Sequence, residues 1–450
     1  MPRQRQRFAQ QSTRASARLA AWLLPMLLCV ALVACADDDS GRRFANEPPP
    51  TADANATATI SGGVQVTPTP MTSTASPVAV PQILAASGGV SAIVVQIGGE
   101  LVAASPPWTN PRIFWSAAKD RLLAYAATPN ADSVALVLAP EKTDARIDLI
   151  LLGPDGKPIR RVEQLGRFVA TPSNSKSPAG EYSLSWSPDG GQVLVGLATG
   201  GILAVPRTGD PQVLVGLERA PAPGQVSWSP RGNAIAFISP AAPKRAGGLY
   251  VAPTGAVPLD PVPVVPPSAG GRSTVSRFAW SPDGSTLYYT VASTTGDPSF
   301  GGDLFRVPAA GGAPTLVATA SRAGPVSAIT NFAISPGGAG VAYVITVPAD
   351  NGQPTDSLWL QPIGTNEAVR LPLAPGERVT GRWWTTDGLI WSASPAGDTA
   401  ELILYRAKDG ETPGVVYRGP VASVTPVAAP KASPEVSPAA SPVAGSPIAD

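Results

Sequence analysis

One stretch, residues 278–290, limits the folds open to this chain more than any other feature, because it recurs along the sequence. Phe278 and Trp280 alternate with smaller residues, the period-two pattern of a half-buried strand. The Ser-Pro-Asp-Gly segment that follows favours a tight turn, because proline presets φ, aspartate bonds back to the backbone and glycine accepts positive φ. From Leu287 onward, β-branched and aromatic residues predict a returning strand. The stretch therefore predicts a β-hairpin.

Five further segments repeat this pattern with varying fidelity. The position of Trp280 serves as the anchor of the repeat, and it carries tryptophan in all copies except one. Successive anchors are 71, 42, 52, 54 and 50 residues apart, which is typical of repeat architectures with one supersecondary unit per repeat. The six anchors are Trp115, Trp186, Trp228, Trp280, Ile334 and Trp384.

Each hairpin is followed by two more short apolar segments with a turn between them, such as residues 304–312 and 315–318 after Trp280. Four short strands in a unit of about 40–50 residues predict an all-β fold, a β-propeller with four antiparallel strands per blade. The propeller is expected to span residues 91–420. Six blades are predicted, with seven as the alternative, and almost no helix is expected because no helical period appears after residue 35.

The start of the propeller is the least regular part of the pattern. The first blade is predicted to be long, running from Ile113 to a turn at residues 153–156. Upstream, residues 92–104 resemble the outer two strands of a blade without their inner hairpin. They either pair with the last blade to close the ring or form a degenerate extra blade. An insertion at residues 164–180 is predicted to be a surface loop.

Residues 1–34 have the pattern of an export signal. Five arginines and no acidic residue precede an apolar run from Leu19 to Ala34. As a helix this run would be ~24 Å long, shorter than a roughly 30 Å hydrocarbon core, so a cleaved signal is predicted rather than a permanent span. Its end, Leu32-Val-Ala-Cys35, resembles the lipobox of bacterial lipoproteins. That resemblance implies lipidation of Cys35, and an ordinary signal that contains a cysteine is the alternative.

Both ends of the mature chain are of low complexity. Residues 35–90 are rich in Ala, Thr, Pro, Ser and Gly, and they carry too few large apolar residues to offset the entropy of ordering. A disordered linker is predicted there, and a disordered Ser-Pro-Ala-rich tail at residues 421–450. The only other cysteine, Cys29, lies inside the signal, so no disulfide is expected.

The repeat resembles a known family. Trp-Ser-Pro-Asp-Gly followed by an apolar strand is similar to the WD-like repeat of TolB-type β-propellers, most closely at Trp186, Trp228 and Trp280. TolB carries a globular α/β domain ahead of its propeller, where this chain has its low-complexity linker, so TolB's own partners are not carried over. With the signal, the chain resembles anchored propeller lipoproteins of bacterial envelopes. The resemblance implies a fold and interaction chemistry, whereas fold alone does not specify function.

The sequence contains no histidine, which excludes several kinds of chemistry. Ser–His–Asp and Cys–His catalysis lack their general base, and the usual zinc and iron sites lack imidazole. Hydrolases of the prolyl oligopeptidase type and quinoprotein dehydrogenases fit poorly for the same reason. No catalytic residue, cofactor or metal site is predicted.

Four aspartates between strands are the remaining candidates for chemistry. Converging carboxylates would suit a glycosidase, a lyase or a calcium site. However, other copies of the repeat carry Arg231 and Gly337 at the same turn position, so a structural role in the turn is predicted. The four are Asp155, Asp189, Asp283 and Asp387.

The anchor tryptophans are likewise predicted to pack between blades. Trp108, Trp359 and Trp383 fall outside the register of the repeat and are candidates for exposed contacts. Nucleic acid is not expected as a partner. Of 33 basic residues, five lie in the signal, leaving 28 against 32 acidic residues with no basic cluster in the propeller.

These observations favour a non-catalytic binding scaffold, held by a lipid on Cys35 at the extracytoplasmic face of a bacterial cell membrane. It would present its central channel mouth and one loop face to an envelope protein, peptide or glycan. One alternative is a carboxylate-only glycosidase or lyase at the channel mouth, and another is an accessory subunit of an envelope complex. Functional residues are expected in the parts that do not repeat, namely residues 164–180, the loops after Ser239 and Val291, and the channel.

Overall fold

The computed structural model describes residues 89–420 with several gaps. Within these residues the regular structure is β-strand, apart from two short 3₁₀ helices at Leu165–Phe168 and Ala320–Ala323. The gaps are residues 98, 118–119, 141–146, 169–181, 221–222, 241–246, 256, 267–272, 294–301, 349–352 and 396–400.

The described strands form seven antiparallel sheets, here called blades 1 to 7, and each is built from strands consecutive in the chain. Blade 1 has β1 (Ile93–Ile97), β2 (Glu100–Ala104) and β3 (Arg112–Ser116); blade 2 has β4 (Asp120–Ala127), β5 (Val134–Pro140), β6 (Asp148–Leu152) and β7 (Pro158–Val162); blade 3 has β8 (Ser183–Trp186), β9 (Gln192–Gly196), β10 (Ile202–Pro206) and β11 (Gln212–Val215); blade 4 has β12 (Val226–Trp228), β13 (Ala234–Ser239), β14 (Gly248–Pro253) and β15 (Val262–Val265); blade 5 has β16 (Ser273–Trp280), β17 (Thr286–Ser293), β18 (Leu304–Pro308) and β19 (Thr315–Ala318); blade 6 has β20 (Ala328–Ile334), β21 (Gly340–Val347), β22 (Thr355–Pro362) and β23 (Val369–Leu371); blade 7 has β24 (Glu377–Thr385), β25 (Gly388–Pro395), β26 (Glu401–Ala407) and β27 (Gly414–Pro420).

Buried apolar side chains lie between neighbouring blades rather than in a single core. Each consecutive pair of blades shares one cluster, and a further cluster with Ile93, Trp108 and Leu404 joins blade 7 to blade 1. First strands of successive blades contact one another, β4 with β8, β8 with β12, β16 with β20 and β20 with β24, so they surround the centre. The fold is therefore a closed β-propeller.

The predicted hairpin is confirmed in blade 5. Ser281 accepts a hydrogen bond at its carbonyl from the Gly284 amide (2.9 Å), and its own amide donates to Thr286 (2.8 Å). Gly284 has a φ of 68°, a conformation that glycine adopts without a steric penalty. Four antiparallel strands per blade are likewise confirmed in blades 2 to 7. The side of the ring that carries these first-to-second-strand turns is called the turn face below.

The prediction of six blades was wrong, because the described residues form seven. The seventh is blade 1, in which the segment 92–104 supplies two strands and β3 the third. Val94 and Leu101 pack beside Leu136 on β5 and Ile150 on β6, so β1 and β2 lie level with second and third strands. Among the described residues, blade 1 therefore has no first strand. The anchor motif lies on the first strand, so blade 1 also lacks the motif from which the number of blades was predicted.

The placement of Trp115 at the anchor of the first hairpin was also wrong. Trp115 lies on β3 and pairs with Leu101 of β2, so it belongs to an outer strand of blade 1. The first strand of blade 2 is β4, and its turn begins at Thr128, whose amide donates to Ser133 (2.9 Å). This copy escaped detection because Ala127 stands where the other copies carry a large residue, and Ala131 takes the positive-φ position of glycine.

Candidate binding channel

The first strands of blades 5, 6 and 7 share a β-bulge at one position, with an extra residue opposite the second strand. That residue is an exposed serine or threonine in each case. Its hydroxyl oxygen lies 2.9, 2.9 and 2.7 Å, respectively, from a hydroxyl oxygen on the second strand. Bulges re-aim the side chains that follow them. The three bulge residues are Ser276, Thr330 and Thr380.

A cavity of about 380 Å³ lies among the first strands of blades 4 to 7 and is here called the channel cavity. Phe278, Trp280 and Phe332 form much of its apolar wall. Four polar side chains also line it. Arg277 and Asn331 directly follow the bulges of blades 5 and 6. Gln225 and Arg382 lie shortly before the anchor tryptophans of blades 4 and 7.

A second cavity of about 530 Å³, here called the mouth cavity, adjoins the channel cavity. Prolines from the turns of blades 4, 5 and 6 line it, so it lies at the turn face. The two cavities share Ala333, Ile334 and Arg382 as lining residues. Arg382 therefore lies where the mouth meets the channel.

Side chains complete the inner edges of the first strands, whose backbone groups have no further strand to pair with. The Gln225 carboxamide donates to the Phe278 carbonyl (2.8 Å) and accepts from the Phe278 amide (3.0 Å). The Asn331 side-chain oxygen accepts from the Phe332 amide (3.1 Å). Buried backbone polar groups require such partners, so these amides stabilise the channel wall.

Two arginines give the channel cavity its charge. Arg382 reaches from blade 7 to blade 6, where it donates to the Asn331 side chain and the Phe332 carbonyl. Burial, and after it the positive charge of Arg277, lower the pKa of Arg382 to about 9. Arg382 therefore remains charged at neutral pH, and Arg277 is close enough for repulsion between the two guanidinium groups.

No carboxylate lines the channel cavity or the mouth cavity, and none lines a third cavity between blades 4 and 5. Two acidic residues near the inner strands are paired elsewhere. Glu377 accepts from Arg418 and Tyr405 (both 2.6 Å), and Asp356 pairs with Arg378 (2.8 Å). In the part of the chain that the structure describes, the channel is thus a cationic site without internal neutralisation.

Trp383 occupies the side of the channel next to blade 1. In the other first strands the corresponding residue is alanine or serine. Trp383 packs against the cluster between blades 7 and 1, where no first strand of blade 1 is described. Trp383 also lines the mouth cavity, so one face of its indole ring contacts solvent. Trp383 is therefore half-buried and lies at the mouth cavity.

The third cavity, of about 460 Å³, lies between the outer parts of blades 4 and 5. Its lining is mostly aliphatic, with Val264, Val291 and Val307, and burial raises the pKa of the Tyr289 phenol beside them. It presents few polar groups with which to orient a ligand.

The remaining anchor tryptophans, Trp186, Trp228, Trp280 and Trp384, are buried between blades. The indole N–H of Trp186 donates to the Ala126 carbonyl (2.9 Å) and that of Trp384 to the Ala333 carbonyl (3.1 Å), each on the preceding blade. The prediction of an exposed contact was wrong for Trp108, which is fully buried. Trp359 is half-buried beneath Arg322.

The turn aspartates are held by their own turns. Asp189 accepts from the Ser187 hydroxyl (2.5 Å) and the Gly191 amide (3.0 Å), and these bonds lower its pKa. Asp283 has the equivalent partners, and hydrogen bonds from Ser281 and Ser285 lower its pKa to about 2. Asp155 lies in an outer turn of blade 2 beside Lys157.

Asp387 differs from the other turn aspartates because it joins two blades. Burial alone would raise the pKa of Asp387, but hydrogen bonds from Lys408, Trp108 and Arg406 hold it below its usual value. The carboxylate lies 3.0 Å from Arg406, 3.1 Å from Lys408 and 3.3 Å from the Trp108 indole nitrogen. It therefore ties the turn of blade 7 to the loop between β2 and β3.

Several predicted features lie outside the described residues. These include Cys35 with the signal and linker, the tail at residues 421–450, and most of the insertion at 164–180. The loops after Ser239 and Val291 also fall largely in gaps. No described helix is long and apolar enough to cross a membrane. Among the described residues, no group of three acidic or cysteine side chains could hold a metal ion.

No protein-family model matches the chain, and no curated protein is similar to it in sequence. Among solved structures, prolyl oligopeptidase B from Galerina marginata is 10% identical, with a TM-score of 0.50, and the match covers 73% of this chain and 50% of that one. A prolyl endopeptidase is 12% identical, with a TM-score of 0.48 and coverage of 74% and 50%. The β-propeller domain of Myceliophteria thermophila Swd1 is 12% identical, with a TM-score of 0.40 and coverage of 73% and 88%. The chain spans about half the length of each peptidase, and at these identities the likeness concerns the fold alone.

Proposed function

We propose that this propeller is a non-catalytic binding scaffold that receives part of an envelope protein, peptide or glycan in its central channel. The observation that carries the proposal is the adjoining pair of cavities that meet at Arg382, with polar groups from blades 4 to 7 directed into one space. Concave sites with a few convergent polar groups on an apolar wall are typical of ligand sites.

Catalysis is not part of the proposal. The peptidases with a similar fold are enzymes, yet this chain has no histidine to act as the base of a serine hydrolase. A carboxylate-only glycosidase or lyase would need paired acids at the channel mouth. Asp189 and Asp283 instead accept hydrogen bonds within their own turns, Asp387 is paired with Arg406 and Lys408, and none of the three lines the mouth cavity.

We further propose that the protein is a TolB-like propeller lipoprotein, anchored through Cys35 at the extracytoplasmic face of the cell membrane. The support is the lipobox-like segment and the low-complexity linker that follows it. Replacing Cys35 by Ala should release the protein from the membrane fraction or block its processing. Unchanged membrane association of C35A, measured by fractionation and immunoblotting, would contradict the anchor.

Channel binding is tested by site-specific photo-crosslinking in cells that produce the full-length protein. A photoreactive residue replaces Thr330, which is exposed beside the channel, and in a matched control it replaces Leu316, which is exposed on outer strand β19. Adducts at position 330 but not at 316 are expected. Equal labelling at both positions, or labelling at 316 alone, would contradict the channel as the binding site. Adducts with one recurrent protein would favour an accessory subunit of an envelope complex.

A further inference from the structure

Arg277 and Arg382 are two cations facing one cavity with no anion between them. Arg277 is exposed in the channel and has no ion pair among the described residues. Among the described residues, Arg382 donates only to neutral oxygens, those of Asn331 and Phe332. Like charges at close range repel, and partial burial increases the cost because less water screens them.

The donors of Arg382 are not all used. Its Nε atom is buried, and in the described part of the protein it has no hydrogen-bond acceptor. A buried donor without an acceptor costs free energy, and most such groups in folded proteins have a partner. The guanidinium is meanwhile held in place by blade 6, so it is oriented before any ligand arrives.

Carboxylates on neighbouring elements do not supply the missing charge. On β24 itself, Glu377 is bonded to Arg418 and Tyr405. On β22, Asp356 is engaged by Arg378 and by the Val379 amide (3.1 Å). Both of these acidic groups are therefore already neutralised away from the channel cavity.

We propose that Arg277 and Arg382 together bind a carboxylate group of the ligand that enters the channel. This assignment rests on the proposed function and names the chemistry of the ligand. The two guanidinium groups offer planar forks of N–H donors, which match the two oxygens of a carboxylate.

Carboxylate fits this wall better than phosphate does. Phosphate sites commonly use clusters of backbone N–H groups. Here the Phe278 amide donates to Gln225, and the Phe332 amide donates to Asn331, so both are occupied. The wall around the arginines is formed by Phe278, Trp280 and Phe332, which favours a singly charged group over a more strongly hydrated dianion.

The experiment measures thermal unfolding of the full-length protein at constant ionic strength with increasing concentrations of defined probes. Acetate represents a free carboxylate, and N-acetylated tri-alanine with a free C-terminus represents a peptide carboxylate. N-acetylated tri-alanine amide serves as the neutral control, and inorganic phosphate as the competing oxyanion. We expect a carboxylate probe to raise the unfolding temperature, because a ligand that binds only the folded state stabilises it.

Three variants locate the effect. R277Q should weaken carboxylate binding roughly tenfold or more, since a charge-assisted hydrogen bond is lost. Without probe, R277Q should unfold at a higher temperature than the wild type, because the repulsion is relieved. R370Q makes the same charge change on the exposed outer strand β23 and should bind like the wild type. R382Q should also lose binding, and R277Q keeps the test decisive should R382Q fail to fold.

The proposal is overturned if R277Q responds to carboxylates like the wild type, if tri-alanine and its amide act equally, or if phosphate stabilises more than either carboxylate probe. It is also overturned if no carboxylate stabilises the wild type. Crosslinks at position 330 together with an unchanged R277Q would refute the carboxylate site alone. The absence of channel crosslinks would refute the proposed function independently.

Discussion

At the scale of single residues, the anchor tryptophans differ in one respect that their common motif does not reveal. Trp186 and Trp280 are equally buried, each 8% exposed. The Trp186 indole N–H donates to the Ala126 carbonyl, whereas the buried Trp280 N–H has no acceptor among the described residues. The same residue in the same repeat position therefore contributes a hydrogen bond between blades in one case and packing alone in the other.

This difference predicts unequal costs for the same substitution. Trp186→Phe and Trp280→Phe remove similar apolar area, but only the first also leaves the Ala126 carbonyl without its donor. We expect W186F to lower the free energy of unfolding by about 1 kcal/mol more than W280F. Urea denaturation of both variants measures the difference, and equal destabilisation would show that the Trp186 hydrogen bond is not formed in solution.

The turn aspartates predict how stability depends on pH. The pKa of Asp283 is about 2 in the folded protein, below its usual value of 3.8, because the Ser281 and Ser285 hydroxyls stabilise the charged form. An acid whose pKa is lower in the folded state than in the unfolded state stabilises the fold at pH values above its unfolded-state pKa. This contribution is lost as the pH falls through its folded-state pKa. The wild type should therefore lose this contribution between about pH 4 and pH 2.

Asp283→Asn is the matched variant for this test, because an amide retains an acceptor for the turn but does not titrate. The difference in unfolding temperature between wild type and D283N should be constant above pH 5 and shrink toward pH 2. A difference that stays constant down to pH 2 would mean that Asp283 titrates normally in the folded protein.

At the scale of elements, the special feature is the boundary between blade 7 and blade 1. β24 has glycine at position 381, and an added methyl carbon there would lie 2.1 Å from the Trp383 ring. Trp383 covers this glycine and packs into the cluster that includes Ile93 and Ile390. A small residue on β24 thus allows a large one to close the space beside the incomplete blade.

Gly381→Ala should displace Trp383 and lower the free energy of unfolding by about 1–3 kcal/mol, as overpacking typically does. Gly337→Ala is the control, because nothing lies within 4 Å of the added methyl group there. Intrinsic tryptophan fluorescence, compared with that of W383A to isolate the Trp383 signal, and chemical denaturation report the two effects. In a W383A background, G381A should cost little, and an undiminished cost there would contradict the contact.

At the scale of the whole molecule, the described residues close the ring through side chains rather than through a strand shared between first and last blades. The described part of blade 7 contains its own four strands, and Val90 adds one parallel bridge to Thr385. Closure otherwise depends on the apolar cluster around Trp108 and on the hydrogen bond from its indole to Asp387.

Trp108→Ala should therefore weaken the entire ring. We expect a loss of about 3–5 kcal/mol, the usual cost of truncating a buried tryptophan. Trp359→Ala, at a half-buried position on blade 6, should cost clearly less. Equilibrium unfolding measures both costs, and limited proteolysis should show earlier cleavage between β2 and β3 in W108A. Equal costs would mean that closure does not depend on this residue.

Much of the fold was predictable from short-range chemistry. A Ser-Pro-Asp-Gly turn between alternating apolar residues specifies a hairpin locally, and its recurrence predicted four-stranded blades. Blade 1 and the copy beginning at Tyr125 could not be counted in this way, since Ala127 replaces the anchor and blade 1 has no described first strand. The channel was anticipated as a region, but the sequence did not identify Arg277 and Arg382 as a pair, because Arg277 precedes the repeated stretch, Arg382 replaces its first apolar residue, and the two lie on different blades.

The sequence by itself determined the strand, the turn and the blade, because these depend on the φ preferences and apolar spacing of neighbouring residues. It also excluded catalysis and metal binding that require a histidine side chain. Only the tertiary structure decided the number of blades, the burial of Trp108 and the meeting of two arginines in one cavity. Those features depend on which distant segments pack together, and packing between blades is set by the closed ring as a whole.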